Sequence, residues 1–310
     1  MILSTPALEL AGFCWGFKMN KKVIRVTITL NGETFAKDAS ILTSEQLRTL
    51  CTINFGGGSV VPNADIAVYG LPMASMLKLT RVRWRDIKSM MNTIKIEAGD
   101  QGSELTTVFE GNITFAYIDM SNAPDVSLKI TSSTAALNIY QPSSPITYSG
   151  NQSVVGAIQE LCGKIGCELE NNGVPESLTM TDTTLVDTDL NKIRALCKRY
   201  QIDLYIEQKR ISIAPQGAPR QTKIATLRPG SGLLGYPVPT MQGIEVRCLF
   251  NPGITFGGLI RVADSLIESC NGDWRVFGVT LSLESEMPGG NWFMDIKATY
   301  NEPNNAAISR

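Results

Sequence analysis

Short strand-like runs separated by turn residues fill both ends of this chain, and this pattern constrains the fold more than any motif. Residues 23–30 are rich in β-branched side chains and lead into Asn31-Gly32, a strong hairpin signal. Further strand-like runs follow at 51–55, 64–71, 93–97, 105–109, 113–119 and 126–131, with a short helix at 72–79 entered through proline. Short strands without long helices between them predict an antiparallel sandwich or small barrel.

The middle of the chain has a different pattern. A Pro/Ser/Gly-rich linker at 140–151 precedes Ser153, which can cap a helix whose apolar residues recur at helical spacing as far as Ile165. A second helix is expected to begin near Asp187 or Thr188, and a hairpin with strands at 202–207 and 210–214 closes the segment. These features predict a small α+β module of about seventy residues.

From Gly230 onward the pattern is again typical of β-strands. Runs at 243–250 and 254–262 predict two strands joined by a hairpin loop, Asn251-Pro252-Gly253. The next strand, 274–284, is expected to present one face made of Arg275, Phe277, Val279, Leu281 and Leu283. Its predicted partner, 291–300, shares a face made of Trp292, Met294, Ile296, Ala298 and Tyr300.

The chain therefore reads as β domain, α+β module, β domain, and its 310 residues agree with more than one domain. We predict an N-terminal extension or arm at 1–18, a first β domain at 19–138, a linker with the inserted module at 139–225, and a second β domain with a tail at 226–310. Residues 1–18 make a poor signal peptide, since no basic residue precedes the apolar part and Glu9 interrupts it. A start at Met19 or a docking arm are the two interpretations.

The absence of histidine narrows the chemistry. It excludes every Ser-His-Asp or Cys-His nucleophile and every histidine-ligated zinc or haem. The seven cysteines include no C-x-x-C pair, so we interpret them as buried apolar residues of a chain made in a reducing host cytoplasm. A four-cysteine zinc site is the weaker alternative.

Charge and hydropathy exclude other classes. Hydrophobic residues make up 43% and charged residues 18% of the chain, which excludes a disordered polypeptide. Lys and Arg number 28 against 29 Asp and Glu, so no sequence-specific nucleic-acid partner is predicted. No run reaches the roughly 18 apolar residues of a membrane span.

Known cofactor motifs do not fit either. Gly56-Gly57-Gly58-Ser59 lacks the Gly-Lys-Ser/Thr of a phosphate loop, and residues 255–258 lack the glycine spacing of a dinucleotide fingerprint. Helix capping explains Asp187 and Asp189 better than a calcium loop does. We predict no cofactor and no catalytic residues. A carbohydrate- or peptidoglycan-active enzyme with a distant Asp/Glu pair stays the alternative.

The order of the segments resembles the baseplate hub proteins of contractile phage tails. Residues 64–71 with the following helix resemble the start of these proteins, and 109–113 and 124–128 resemble their next strands. Residues 153–171 and 189–206 are similar to the inserted module of the family, and 235–237 and 243–254 to its end. The resemblance covers most of residues 22–300, and its strength lies in the order of the pieces.

The resemblance implies a mainly β fold with two tail-tube-like β-barrels and a small α+β module. It implies a structural virion protein, not an enzyme, located in the tail baseplate. Three copies would form a ring of six barrels and join the hexameric tail tube to the trimeric central spike, serving genome ejection. The implied partners are other copies in a homotrimer, the tail tube protein, the central spike protein, baseplate wedge proteins and the tape-measure protein.

Interface residues are proposed from charge and loop position. The basic stretch 81–88, with Arg81, Arg83, Arg85 and Lys88, and the loop at Gly56, Gly57, Gly58 and Ser59 are candidates for contacts between subunits. The loop at 286–290 is a third candidate. Solvent exposure alone would equally explain a basic stretch of this kind.

Overall fold

The computed structural model describes residues 20–300, apart from 33, 36–38, 57–59, 81–90 and 208. The first segment contains strands β1 Lys22–Thr29, β2 Ile41–Ser44, β3 Thr49–Phe55, β4 Asn63–Tyr69, β5 Thr93–Asp100, β6 Thr106–Asp119 and β7 Ser127–Ser133. It also contains helices α1 Met73–Leu79 and α2 Ala136–Tyr140.

The middle segment mixes helices and strands, as predicted. Its elements are β8 Ile146–Ser153, α3 Val154–Lys164, β9 Glu168–Asn171, β10 Thr179–Leu185, α4 Asp189–Arg199, β11 Ile202–Glu207 and β12 Arg210–Pro215. The predicted cap at Ser153 is confirmed, since the Gly156 N–H donates to Ser153 Oγ at 3.2 Å. The second helix is expected to begin near Asp187 or Thr188, and its cap is Thr188, whose Oγ1 accepts from the Asn191 N–H at 3.3 Å. The predicted β11–β12 hairpin is also confirmed.

The last segment is β again. It contains β13 Ala225–Pro229, β14 Gly232–Thr240, β15 Gly243–Leu249, β16 Leu259–Val262, a 3-10 helix Glu268–Cys270, β17 Gly272–Ser285 and β18 Trp292–Tyr300. These six strands close into a barrel in the order β16-β13-β14-β15-β18-β17, because β17 pairs back onto β16. The predicted mainly β fold with a small α+β module is confirmed, and this closed barrel is one of the two predicted tail-tube-like barrels.

Within the described residues, one thirteen-stranded sheet runs through both β segments. From β17 it continues as β3-β4-β7-β6-β5-β1-β2. This N-terminal part curls until β1 lies against β17, but β1 pairs only with β5 and β2, so its ring of strand pairs is open. One hydrophobic core fills both parts, with members such as Ile24, Ile96, Val246 and Ile296. The module has its own core around Ile158, Leu161 and Ile193.

The hairpin signal at Asn31-Gly32 is confirmed, since β1 pairs antiparallel with β2, although β2 begins only at Ile41. Three local predictions are wrong for reasons of pairing. The runs 105–109 and 113–119 form one strand, β6, whose two ends pair with different neighbours. Part of the predicted linker is strand β8, which pairs with β10. Asn251-Pro252-Gly253 does not join a hairpin, since β15 pairs with β14 and β18, whereas β16 pairs with β13 and β17.

The predicted face of β17 is also wrong. A register shift between Val276 and Gly278 changes which side chains face inward. Trp274 and Val276 are buried before the shift, and Val279, Leu281 and Leu283 are buried after it. Arg275 and Phe277 therefore lie on the other face. The sequence does not reveal the bulge, because apolar residues occur on both faces of the strand at this point and the alternation of apolar and polar residues is lost.

Candidate interaction surfaces

Most of the interface residues proposed from sequence lie outside the described residues. These are Arg81, Arg83, Arg85, Lys88, Gly57, Gly58 and Ser59. Gly56 is described, and it directly follows β3. A Cβ atom at this position would lie 3.0 Å from Val60 Cγ1, so the close approach of the Val60 side chain favours glycine here.

The loop at 286–290, proposed as an intermolecular contact, makes contacts within its own chain. Lys21 Nζ forms an ion pair with Glu286 Oε1 at 2.6 Å. The neighbouring Lys22 Nζ lies 5.7 Å from the centroid of the Trp292 ring. These contacts hold the start of β1 against the β17–β18 turn. The charge of Glu286 is thus satisfied without a second subunit.

A buried arginine joins the module to the C-terminal barrel. The side chain of Arg220 is only 2% exposed, and its Nη2 lies 3.1 Å from Glu170 Oε2 in β9. Its Nη1 lies 3.0 Å from Glu207 Oε1 in β11 and donates to the Phe256 carbonyl oxygen at 2.8 Å. Since Glu170 and Glu207 belong to the module and Phe256 to the barrel segment, Arg220 fixes one against the other.

A second arginine reinforces this junction. Arg275 of β17 pairs with Asp203 Oδ2 at 2.9 Å and donates to Tyr205 Oη at 3.2 Å. The Tyr205 ring packs edge-on against Phe256 at 5.2 Å between centroids. Gly257 has a φ of +81°, and a Cβ there would lie 2.5 Å from the Tyr205 ring, so only glycine allows this packing.

The pKa values of the two glutamates that pair with Arg220 are shifted in opposite directions. Burial raises the pKa of Glu207, and the guanidinium of Arg220 offsets only part of that rise. Burial also acts to raise the pKa of Glu170, but hydrogen bonds from Asn172 and Arg220 outweigh it and lower the net value. Burial lowers the pKa of Arg220, but the two carboxylates raise it further, so the guanidinium stays charged.

A cavity of about 490 Å³ opens where the two β segments and the module meet. Apolar walls come from Phe55, Val108, Phe250, Ile254, Leu281 and Met294, and the module contributes Glu168, Glu207, Lys209 and Arg210. Lys209 Nζ also bridges to Glu110 of β6 at 2.9 Å. Of the two carboxylates on the wall, Glu207 already holds Arg220. Lys209 and Glu207 on this wall thus form ion pairs that connect different segments of the chain.

The cysteines behave as small apolar residues, as predicted. All six described ones are free thiols, and five of them are buried, with Cys167 half-buried. Burial raises the pKa of Cys162 and Cys197 to about 12, which keeps both thiols protonated. In the part of the chain that the structure describes, no group of three or more Cys, Asp or Glu could hold a metal ion. No described helix is long and apolar enough to span a membrane.

Sequence reasoning missed the Arg220 junction. Arg220 stands in an irregular stretch after Pro219, and its carboxylate partners are 50 and 13 residues earlier in the chain. A charge in a loop next to a module boundary was the one available signal. That signal does not identify which carboxylates will meet it after folding.

Comparisons with known proteins agree with this architecture. A family model described as baseplate hub gp41 matches residues 23–289. The fold resembles the 43 kDa tail protein of prophage MuSo2 from Shewanella oneidensis, with a TM-score of 0.56, 9% identity, and coverage of 90% of this chain and 96% of that one. It also resembles a tail protein from Neisseria meningitidis MC58, with a TM-score of 0.57, 8% identity, and coverage of 89% and 96%.

A secretion component has a similar fold. The Escherichia coli c3393 protein, a component of the type VI secretion system with structural similarity to the T4 tail proteins gp27 and gp5, has a TM-score of 0.57 at 14% identity. The alignment covers 83% of this chain and 74% of that protein. No curated protein matches the sequence.

Proposed function

Since this chain belongs to the baseplate hub gp41 family, and thus has a structural role in the baseplate of a phage tail, we propose that it joins the tail tube to the central spike. In this proposal three copies form a ring, with the hexameric tube on one side and the trimeric spike on the other. Shape and contact surfaces perform this work, and no catalytic residue is assigned.

The observation that carries the proposal is the continuous sheet. One chain supplies a closed six-stranded barrel and a second curled set of strands, joined through one core. Three such chains would present six β units around an axis, which matches sixfold symmetry on one face and threefold symmetry on the other. The Arg220 junction supports the proposal, because it holds the module at a fixed angle to the barrel.

The proposed partners follow from this position. They are other copies of the chain, the tail tube protein, the central spike protein, baseplate wedge proteins and the tape-measure protein. The net charge of −1 suits close packing between identical subunits, which a strongly charged chain would oppose. We propose no sequence-specific nucleic-acid contact and no membrane span. Synthesis in the host cytoplasm precedes assembly into the virion.

The test is the mass of the purified full chain and its assembly. Mass photometry should show a species of three times the 33.7 kDa chain mass, and electron microscopy with spike and tube proteins should show a threefold ring between them. A chain that stays monomeric alone and with both partners would refute the proposal. Degradation of peptidoglycan, lost on replacing one Asp or Glu, would favour the enzyme alternative.

The basic stretch allows a second test. We propose that the Arg83→Glu, Arg85→Glu double variant impairs ring assembly without unfolding the monomer, because it reverses the charge of a proposed contact. A Lys164→Glu variant serves as the control, since Lys164 pairs with Glu160 on the surface of α3. Normal assembly of the double variant would remove this stretch from the interface.

A further inference from the structure

Two parts of the thirteen-stranded sheet repeat the same five-stranded plan. In the first part the spatial order is β3-β4-β7-β6-β5, and in the second it is β14-β15-β18-β17-β16. Both sets follow the same chain order, and every neighbouring pair is antiparallel in both. By position, β6 therefore corresponds to β17, and β14 corresponds to β3.

Within one chain, the two parts are joined by the pair β17–β3. This ladder runs from Val279 opposite Phe55 to Ser285 opposite Thr49. It forms because β16 covers only the beginning of β17, which leaves the remainder of that edge available. On the outer face of the ladder, Thr280 Oγ1 donates to Asn54 Oδ1 at 3.0 Å.

The corresponding edges of β6 and β14 have no strand partner among the described residues. On its β5 side, β6 pairs with β5 as far as Asn112, and the Ile113 N–H donates to the Asn92 carbonyl oxygen at 2.8 Å. Beyond this point β6 pairs with β7 on one side, and on the other side helix α1 contacts it without a backbone hydrogen bond among the described residues. β14 pairs with β13 only at Gly232 and Leu233. Beyond these residues, Leu234 and then residues 238–240 pair with β15, with a register shift between Leu234 and Val238. The 3-10 helix approaches β14 without a backbone hydrogen bond to it.

Exposed apolar side chains mark both of these edges. On β6, Tyr117 is 42% exposed and its ring lies 5.4 Å from the Phe115 ring, and Met120 follows at 51%. On β14, Tyr236 and Val238 are 53% and 56% exposed. Aromatic residues and methionine are enriched in protein interfaces. The outer face of the β17–β3 junction, by contrast, carries the polar pair Thr280 and Asn54.

Two prolines shape what the β14 edge can accept. Pro237 and Pro239 carry no N–H, so a partner strand finds carbonyl acceptors but no donors at these positions. Such an edge resists indiscriminate strand addition. A specific partner must therefore gain most of its binding from side-chain packing, with its own N–H groups donating to the proline carbonyls.

We propose that the β6 edge of one copy, residues 114–120, packs against the β14 edge of the next copy, residues 234–241. This contact repeats between chains the β17–β3 arrangement found within each chain. The two edges differ, so the interface is heterologous, and a fixed rotation closes it into a ring in which internal and external junctions alternate. The inference rests on the self-association proposed above and names its surface.

The experiment uses single-cysteine pairs in the full chain. Cys14, which lies outside the described residues, and the half-buried Cys167 are first replaced by Ser. A Tyr117→Cys chain is then mixed with a Val238→Cys chain and treated with a short bis-maleimide. Ile41→Cys mixed with Val238→Cys is the matched control, because Ile41 is equally exposed on the N-terminal strands but lies on β2.

The Tyr117→Cys and Val238→Cys mixture should cross-link several-fold more than the control mixture, and neither variant alone should cross-link. The double variant should give cross-linked species up to the trimer. Trimers that do not cross-link at this pair, or that cross-link through one variant alone, would overturn this inference but leave the proposed ring intact. Monomers at every concentration, both alone and with the spike and tube proteins, would overturn both proposals. Melting curves of each variant verify its fold.

Discussion

The closed barrel of β13–β18 and the open sheet of β1–β7 share a strand plan but end differently. In the barrel, β13 runs parallel to both β14 and β16 and closes the ring. In the open sheet, β1 runs antiparallel to β5 and carries β2 on its other side, so it does not close onto β3. In the described residues β1 has strands on both of its edges, and so does β3, so the two ends of the N-terminal set do not pair with each other.

The difference also explains how the two parts are joined. β17 has 14 residues and β16 has four, so β17 extends beyond its neighbour and pairs with β3. A closed barrel would otherwise offer no edge at all. The unequal strand lengths are therefore the feature that fuses two β units into one sheet.

The largest effect should come from the turn glycines of the two parts. Gly243 in the barrel has a φ of +143°, and a Cβ there would lie 2.1 Å from the Ala298 carbonyl oxygen. Gly243→Ala should cost more than about 3 kcal/mol, because β15 and β18 must separate. Gly102, between β5 and β6, has a φ of +84° and open space, so Gly102→Ala should cost about 1 kcal/mol. Denaturant titration measures both, and equal losses would contradict the packing difference.

The next effect tests the junction between the module and the barrel. Arg220→Met, a change at the module junction, should remove about 3–5 kcal/mol, since Glu170 and Glu207 lose their buried counter-charge. Arg210→Met is the control, because Arg210 is 56% exposed and lies 3.5 Å from Glu170, which predicts less than about 1 kcal/mol. Limited proteolysis should cut the Arg220 variant at the module boundary. Similar free energies of unfolding for the two variants would show that Arg220 does not stabilise the junction more than the exposed Arg210 does.

Two isoleucines compare the cores of the barrel and the open sheet directly. Ile296 in β18 and Ile96 in β5 are both buried in the same cluster. Each Ile→Ala change should cost about 2–5 kcal/mol and shift one common unfolding transition. Calorimetry checks this. Two separate transitions, each moved by one variant, would show that the two parts unfold independently.

The smallest effect concerns pH and the module. The pKa of Glu170 in the folded chain is below its unfolded value, so its contribution is present near neutral pH and is lost as pH falls. The pKa of Glu207 is raised in the folded chain. Its contribution to folding stability is therefore present at low pH and is lost as pH rises through the pKa of the folded state. The Glu170→Gln variant should show a flatter loss of stability between about pH 5 and pH 3 than the unmodified chain. An unchanged slope would contradict the assignment.

Local signals predicted many elements but few of their partners. The cap at Ser153 depends on a contact within three residues, so the sequence identifies it directly, and the start of the second helix is located to Asp187 or Thr188. The hairpin expected at Asn251-Pro252-Gly253 is wrong, because the strands on its two sides, β15 and β16, pair with other strands and not with each other. The candidate interface at 81–88 stays a prediction, whereas the Arg220 junction emerged only after folding.

The sequence by itself determined the alternation of strands and helices, the absence of histidine chemistry and the helix caps, because these depend on residue types and short spacings. Tertiary structure decided the closure of the barrel, the β17–β3 junction and the ion pairs of Arg220. Each of these joins groups that lie tens or hundreds of residues apart, as Thr280 and Asn54 do. Such contacts depend on how strands of unequal length share edges in space, which no local pattern records.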